Sequence, residues 1–89
     1  MTFEFDQNKS FSNKEKHGID FHEAQHLWLD SERVILQART TGESRYLMVA
    51  RFKDVYWSVV NTHRGDKIRI ISVRKSRENE KDIYFSGRI

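Results

Sequence analysis

The sequence contains no cysteine, no proline and only four glycines in 89 residues. Without cysteine there is neither a disulfide to brace the chain nor a thiolate to act as a nucleophile, and this fits a reducing compartment. No linker, repeat or low-complexity segment interrupts the chain. No apolar run approaches the roughly 20 residues of a membrane span, and the polar opening Met1-Thr2-Phe3-Glu4-Phe5-Asp6 is not a signal peptide. A soluble cytoplasmic protein without membrane contact is expected. A Gly-rich phosphate loop and a G-x-S-x-G elbow are also missing, so nucleotide-fold chemistry and covalent catalysis are not expected.

Large side chains and clustered charge are what the sequence does have. Six Phe, three Tyr and two Trp can supply a core without covalent help. A chain of this length buries roughly 60–65% of its unfolded surface, so one domain over residues 1–89 is expected. Sixteen Lys and Arg against thirteen Asp and Glu give a net charge of only +3. Their distribution says more than the total. Between His63 and Arg77 lie Arg64, Lys67, Arg69, Arg74, Lys75 and Arg77, with Asp66 as the single acid. Such a local positive field suits a phosphate-bearing or acidic partner.

The pattern predicts an α+β fold. Thr2–Phe5 reads as a short edge strand, and Gln7–His17 as a helix capped by Asp6 and closed by Gly18. Phe11 is the single large apolar residue of that helix, so periodicity supports it weakly. Asp20 and Glu23 form a capping-box pattern ahead of a second helix, Phe21–Leu29, with Phe21, Ala24, Leu27 and Trp28 on one side. From Glu32 the period becomes two: Val34, Leu36 and Ala38 alternate with Arg33, Gln37 and Arg39. Tyr46–Phe52, Val55–His63 and Lys67–Arg74 follow as strands, separated by Thr41-Gly42-Glu43, Lys53-Asp54 and Arg64-Gly65-Asp66. Tight turns between four strands in a row predict an antiparallel meander. Ser76 then caps a last helix, about Arg77–Ser86, that turns Ile83, Tyr84 and Phe85 towards the sheet, and Gly87 follows it.

Three constellations carry chemistry. His22-Glu23-Ala24-Gln25-His26 matches the H-E-x-x-H zinc pattern. With Phe21 at 0°, a step of about 100° puts the two histidines at roughly 100° and 140°, away from the apolar side centred near ~300°. They read as surface histidines, with no metal site. On the first helix, Lys9, Asn13, Lys16 and His17 recur at spacings that share one stripe, which fits either solvent or a polyanion. Histidine exchanges protons near neutrality, which favours the functional reading. In the late strand, alternation puts Ile68, Ile70, Ser72 and Arg74 on one face and Lys67, Arg69, Ile71 and Val73 on the other. Arginine forks suit phosphate oxygens, but salt bridges to Glu78, Glu80 and Asp82 fit the same charges.

The order of these motifs resembles the BrnT toxins of bacterial BrnT/BrnA toxin–antitoxin pairs. The first block is Phe3, Asp6, Lys9, Asn13, Lys16, His17, Gly18, Phe21, Glu23 and Ala24. Gly42, Glu43 and Arg45 resemble the family's middle turn, and Thr62, Arg64, Gly65, Arg69, Ile70, Ile71, Ser72 and Arg74 its late strand. Glu80 and Tyr84 match its final helix. The resemblance implies a RelE-like fold and a ribonuclease that blocks translation. It also implies neutralisation by a BrnA-like antitoxin, through which alone operator DNA would be bound.

For RNA, the expected reaction is metal-independent in-line attack of a ribose 2′-OH on the adjacent phosphate, with no cofactor. It needs a base, cations for the phosphorane oxygens and an acid for the leaving oxygen. His17 beside Lys16 is the candidate for acid–base work. Arg64, Arg69 and Arg74 are candidates for phosphate binding, with Lys67, Lys9 and Asn13 beside them, and Glu43 and Tyr84 for a second proton transfer. This chemistry requires the early helix and the late strand to converge. The competing class is a non-catalytic nucleic-acid- or protein-binding module with a basic sheet face. A zinc peptidase is a further competitor and would need stoichiometric metal.

Overall fold

A computed structural model describes residues 1–38 and 42–86 of the chain. The expected positions of Arg39, Thr41 and Gly87 lie outside the described residues. Strands form where β-branched and aromatic residues alternate. They are β1 (Thr2–Glu4), β2 (Val34–Ala38), β3 (Arg45–Phe52), β4 (Val55–Arg64) and β5 (Lys67–Lys75). Strands β2 to β5 make the predicted antiparallel meander. The sheet as a whole is mixed, because β1 joins its other side parallel to β5, giving the order β1-β5-β4-β3-β2. A parallel neighbour needs a long crossover, which the helices and the whole meander supply.

Helix α1 (Gln7–His17) has the predicted ends: Asp6 accepts from the Lys9 amide at 3.1 Å, and Gly18 takes φ 79° with its N–H on the Lys14 carbonyl. Lys14, Lys16 and His17 occupy the last turn, where cations complement the helix dipole. The capping box at Asp20 and Glu23 is present, but the second helix is divided. It is α-helical over Phe21–Ala24 (α2) and then tightens into a 3₁₀ segment, Gln25–Leu29. The last helix, α3 (Glu78–Ser86), starts one residue later than expected. Glu80 reaches back to the Arg77 amide at 2.9 Å, whereas the Ser76 hydroxyl lies 2.8 Å from that of Ser58, so Ser76 is not the cap.

One face of the sheet carries the main core. Phe21, Ala24, Leu27 and Trp28 pack there with Met48, Ala50, Trp57, Val59, Ile70 and Val73. Helix α3 covers part of the opposite face through Glu80 and Tyr84. Phe85, expected to face inward, stays 62% exposed, in T-shaped contact with Tyr56 and Tyr84.

A β-bulge alters the predicted faces of β5. Ile70 stands opposite Asn61 and Ser72 opposite Val60, so Ile71 is an extra residue with no partner across the ladder. Beyond it the alternation is reversed. Arg64 pairs with Lys67, Thr62 with Arg69, Val60 with Ser72 and Ser58 with Arg74. Residues directly opposite share a face, and Ser58 bonds Glu80 of α3. Arg74 therefore leaves the Ile68 and Ile70 face and joins Lys67, Arg69 and Arg64 on the α3 face.

Candidate functional site

Helix α1 reaches the sheet through polar side chains. Phe11 is 61% exposed, whereas Ser10 and Asn13 are buried. Ser10 accepts from the Phe21 amide at 2.9 Å. The Asn13 amide donates to the carbonyls of Ile19 and Val73, both at 2.8 Å, and accepts from the Val73 N–H at 3.2 Å. Strand β1 pairs only with Lys67–Arg69, so at Val73 the Asn13 side chain takes the place of a neighbouring strand. Asn13 is a latch, with its amide engaged on backbone groups.

One turn further on, α1 delivers its last cations to the end of β5. Lys16, His17, Arg74, Lys75 and Arg77 line a cavity of about 320 Å³ between α1, β5 and the start of α3. Lys16 and His17 are exposed in its wall. Arg74 is half-buried and held as a fork: its terminal nitrogens donate to the two Glu80 oxygens at 2.8 and 2.7 Å. Glu80 also accepts from the Ser58 hydroxyl and the Arg77 amide. The Arg74 bond, reinforced by those donors, holds the Glu80 carboxyl well below the usual carboxylate range, at about 2.

The other predicted cations lie elsewhere. Arg69 is ion-paired with Glu4 at 2.8 Å, and Arg64 approaches Glu43 at 3.5 Å. They sit on the same face as Arg74, but Arg69 is roughly 16 Å back along the strand at about 3.3 Å per residue. The convergence of His17 with Arg64, Arg69 and Arg74 is thus met by Arg74 alone. Lys67 is exposed opposite Arg64 at the hairpin end, and Lys9 is exposed on α1. Tyr84 is buried under the far part of the sheet, where its hydroxyl donates to Asp30 at 2.9 Å. Neither Tyr84 nor Glu43 lines the cavity. Of the predicted salt bridges to α3, only the one from Glu80 reaches β5; Glu78 approaches Lys81 within the helix.

A family model described as the ribonuclease toxin, BrnT, of type II toxin–antitoxin systems matches residues 5–80. The chain belongs to the BrnT family. Membership implies an RNA target and an antitoxin partner. No curated protein sequence matches the chain. All five cavity residues and Glu80 fall within the BrnT match, and Tyr84 lies beyond it.

In this BrnT chain the H-E-x-x-H segment serves the fold. His22 is exposed against the Phe5 ring, and His26 stacks on Phe52 at 5.1 Å. Glu23 accepts from Lys14 at 2.7 Å and from the Asp20 amide at 3.0 Å, which lowers its pKa and occupies the carboxylate a peptidase would use as base. Among the described residues, no three His, Asp or Glu side chains converge as a metal-ligand group, and no helix is long and apolar enough to cross a membrane.

Sequence reasoning missed Lys75 and Arg77 as cavity residues; it offered Glu80 as an ion-pair partner of the late-strand arginines, and the structure pairs it with Arg74. The signal was available for the first two, which follow Arg74 where the strand passes into a helix.

Proposed function

We propose that this chain is an endoribonuclease that cuts RNA in the cavity between α1 and the end of β5, without metal or cofactor. The observation that carries the reading is that Lys16, His17 and Arg74 line one cavity. His17 takes the proton of the attacking 2′-hydroxyl. Lys16 and Arg74 neutralise the phosphorane oxygens as the bond to the 5′ oxygen breaks, and that oxygen leaves with a proton from solvent at the cavity mouth. Arg64, Lys67 and Arg69 hold phosphates further along the strand, with Lys9 as an outer contact on α1. Glu43 and Tyr84 take no part in this version of the mechanism, and Asn13 contributes by seating α1.

In this reading residues 1–89 form one RelE-like domain acting in the cytoplasm. RNA cleavage blocks translation, and a BrnA-like antitoxin neutralises the toxin and supplies any operator contact. The test incubates purified protein with 5′-labelled RNA. Expected products end in 2′,3′-cyclic phosphate and persist in EDTA, and His17→Ala reduces their rate at least a hundredfold. RNA that is bound but uncut would make the chain a binding module. Cleavage abolished by EDTA would remove the metal-free mechanism.

A further inference from the structure

We infer that Glu80 is a positioning residue for RNA cleavage, fixing the Arg74 guanidinium at the wall of the cavity that holds Lys16 and His17. The inference rests on the proposed function of that cavity.

A guanidinium on a strand has many rotamers, and at this place it is surrounded by like charge from Lys16, Lys75 and Arg77. Without a counter-charge it would swing into solvent, and substrate binding would have to supply the ordering. Glu80 prevents this. Glu80 is 6% exposed, and its carboxylate takes four hydrogen bonds: two from Arg74, one from Ser58 on β4 and one from the Arg77 amide. A carboxylate fixed from two strands and from the turn into its own helix is a rigid seat. A guanidinium has five donors. Glu80 and the Lys75 carbonyl engage three of them, leaving donors that a phosphate can meet. A donor already aimed at developing charge needs no reorganisation during the reaction. Stability alone does not call for an ion pair here, since a well-packed apolar pair of similar volume would serve as well, and Tyr84 already ties α3 to Asp30.

A double-mutant cycle read by RNA cleavage tests this. Glu80→Gln should lower kcat ten- to a hundredfold with KM changed less than about threefold, and should add nothing in an Arg74→Ala background. Ser58→Ala, which removes one of the four donors, should lower kcat two- to fivefold. Binding of a 2′-O-methyl RNA, which cannot be cut, provides a readout free of the chemistry: Glu80→Gln weakens it two- to threefold, but not once Arg74 is alanine. Equal losses in both backgrounds, or full activity in folded Glu80→Gln, overturn the assignment. If Glu80→Gln fails to fold, undiminished kcat in Ser58→Ala overturns it instead. A wild-type protein that binds the uncut probe and cleaves nothing removes the cleavage reading, and the cycle is then decided on binding.

Discussion

Asn13 shows how one residue can be placed in the right element and given the wrong job. Its position in the polar stripe of α1 was legible, because helical spacing is local. Its use was not, because the backbone it satisfies at Val73 lies 60 positions away. Asn13→Ala leaves three backbone groups without a partner, so urea denaturation should show a loss of about 2–4 kcal/mol. Cleavage should fall with it, as α1 carries His17. The cations were easier to single out, since Lys16, His17 and Arg74 show their charge by residue type, and the structure lines one cavity with them. Glu80 announces its role through pH. Its folded-state pKa of about 2 lies below the ordinary 4.5. The stability it contributes, on the order of 3 kcal/mol, is therefore complete above pH 4.5 and lost as pH falls towards 2. Melting curves across that window should flatten in Glu80→Gln.

Elements whose causes are local were readable: the two caps of α1, the capping box of α2 and the hairpins all follow from a few neighbouring residues. The parallel pairing of β1, the 3₁₀ continuation of α2 and the bulge at Ile71 depend on tertiary packing, and no spacing rule marks them. The bulge cost most at the site, because it put Arg74 on the wrong predicted face. The β3–β4 turn is an element with strain to relieve. Lys53 and Asp54 take φ 50° and 64°, the left-handed region that Asn and Gly occupy most readily. The double substitution Lys53→Asn with Asp54→Gly should stabilise the chain by about 1–2 kcal/mol in thermal unfolding, despite losing the exposed Asp54 pair with Arg51.

For the whole molecule, the consequence of the bulge is a row of cations, Arg64, Lys67, Arg69 and Arg74, along one face with the cavity at its end. Single-stranded RNA should then bind with a log–log salt slope of roughly −3, at about −0.7 per phosphate neutralised. Arg64→Ala should make that slope shallower by about 0.7 in fluorescence anisotropy, at a stability cost below about 1 kcal/mol because its pair with Glu43 is exposed. The parallel seat of β1 has an effect of another kind. Thr2 and Glu4 pair with Lys67 and Arg69, and α1 is pinned at Val73. While the chain is being synthesised, β1 has no strand to pair with, and α1 no anchor at Val73, until β5 has emerged. His17 and Arg74 can meet only after β5 has been made, so the cavity they line forms late in synthesis.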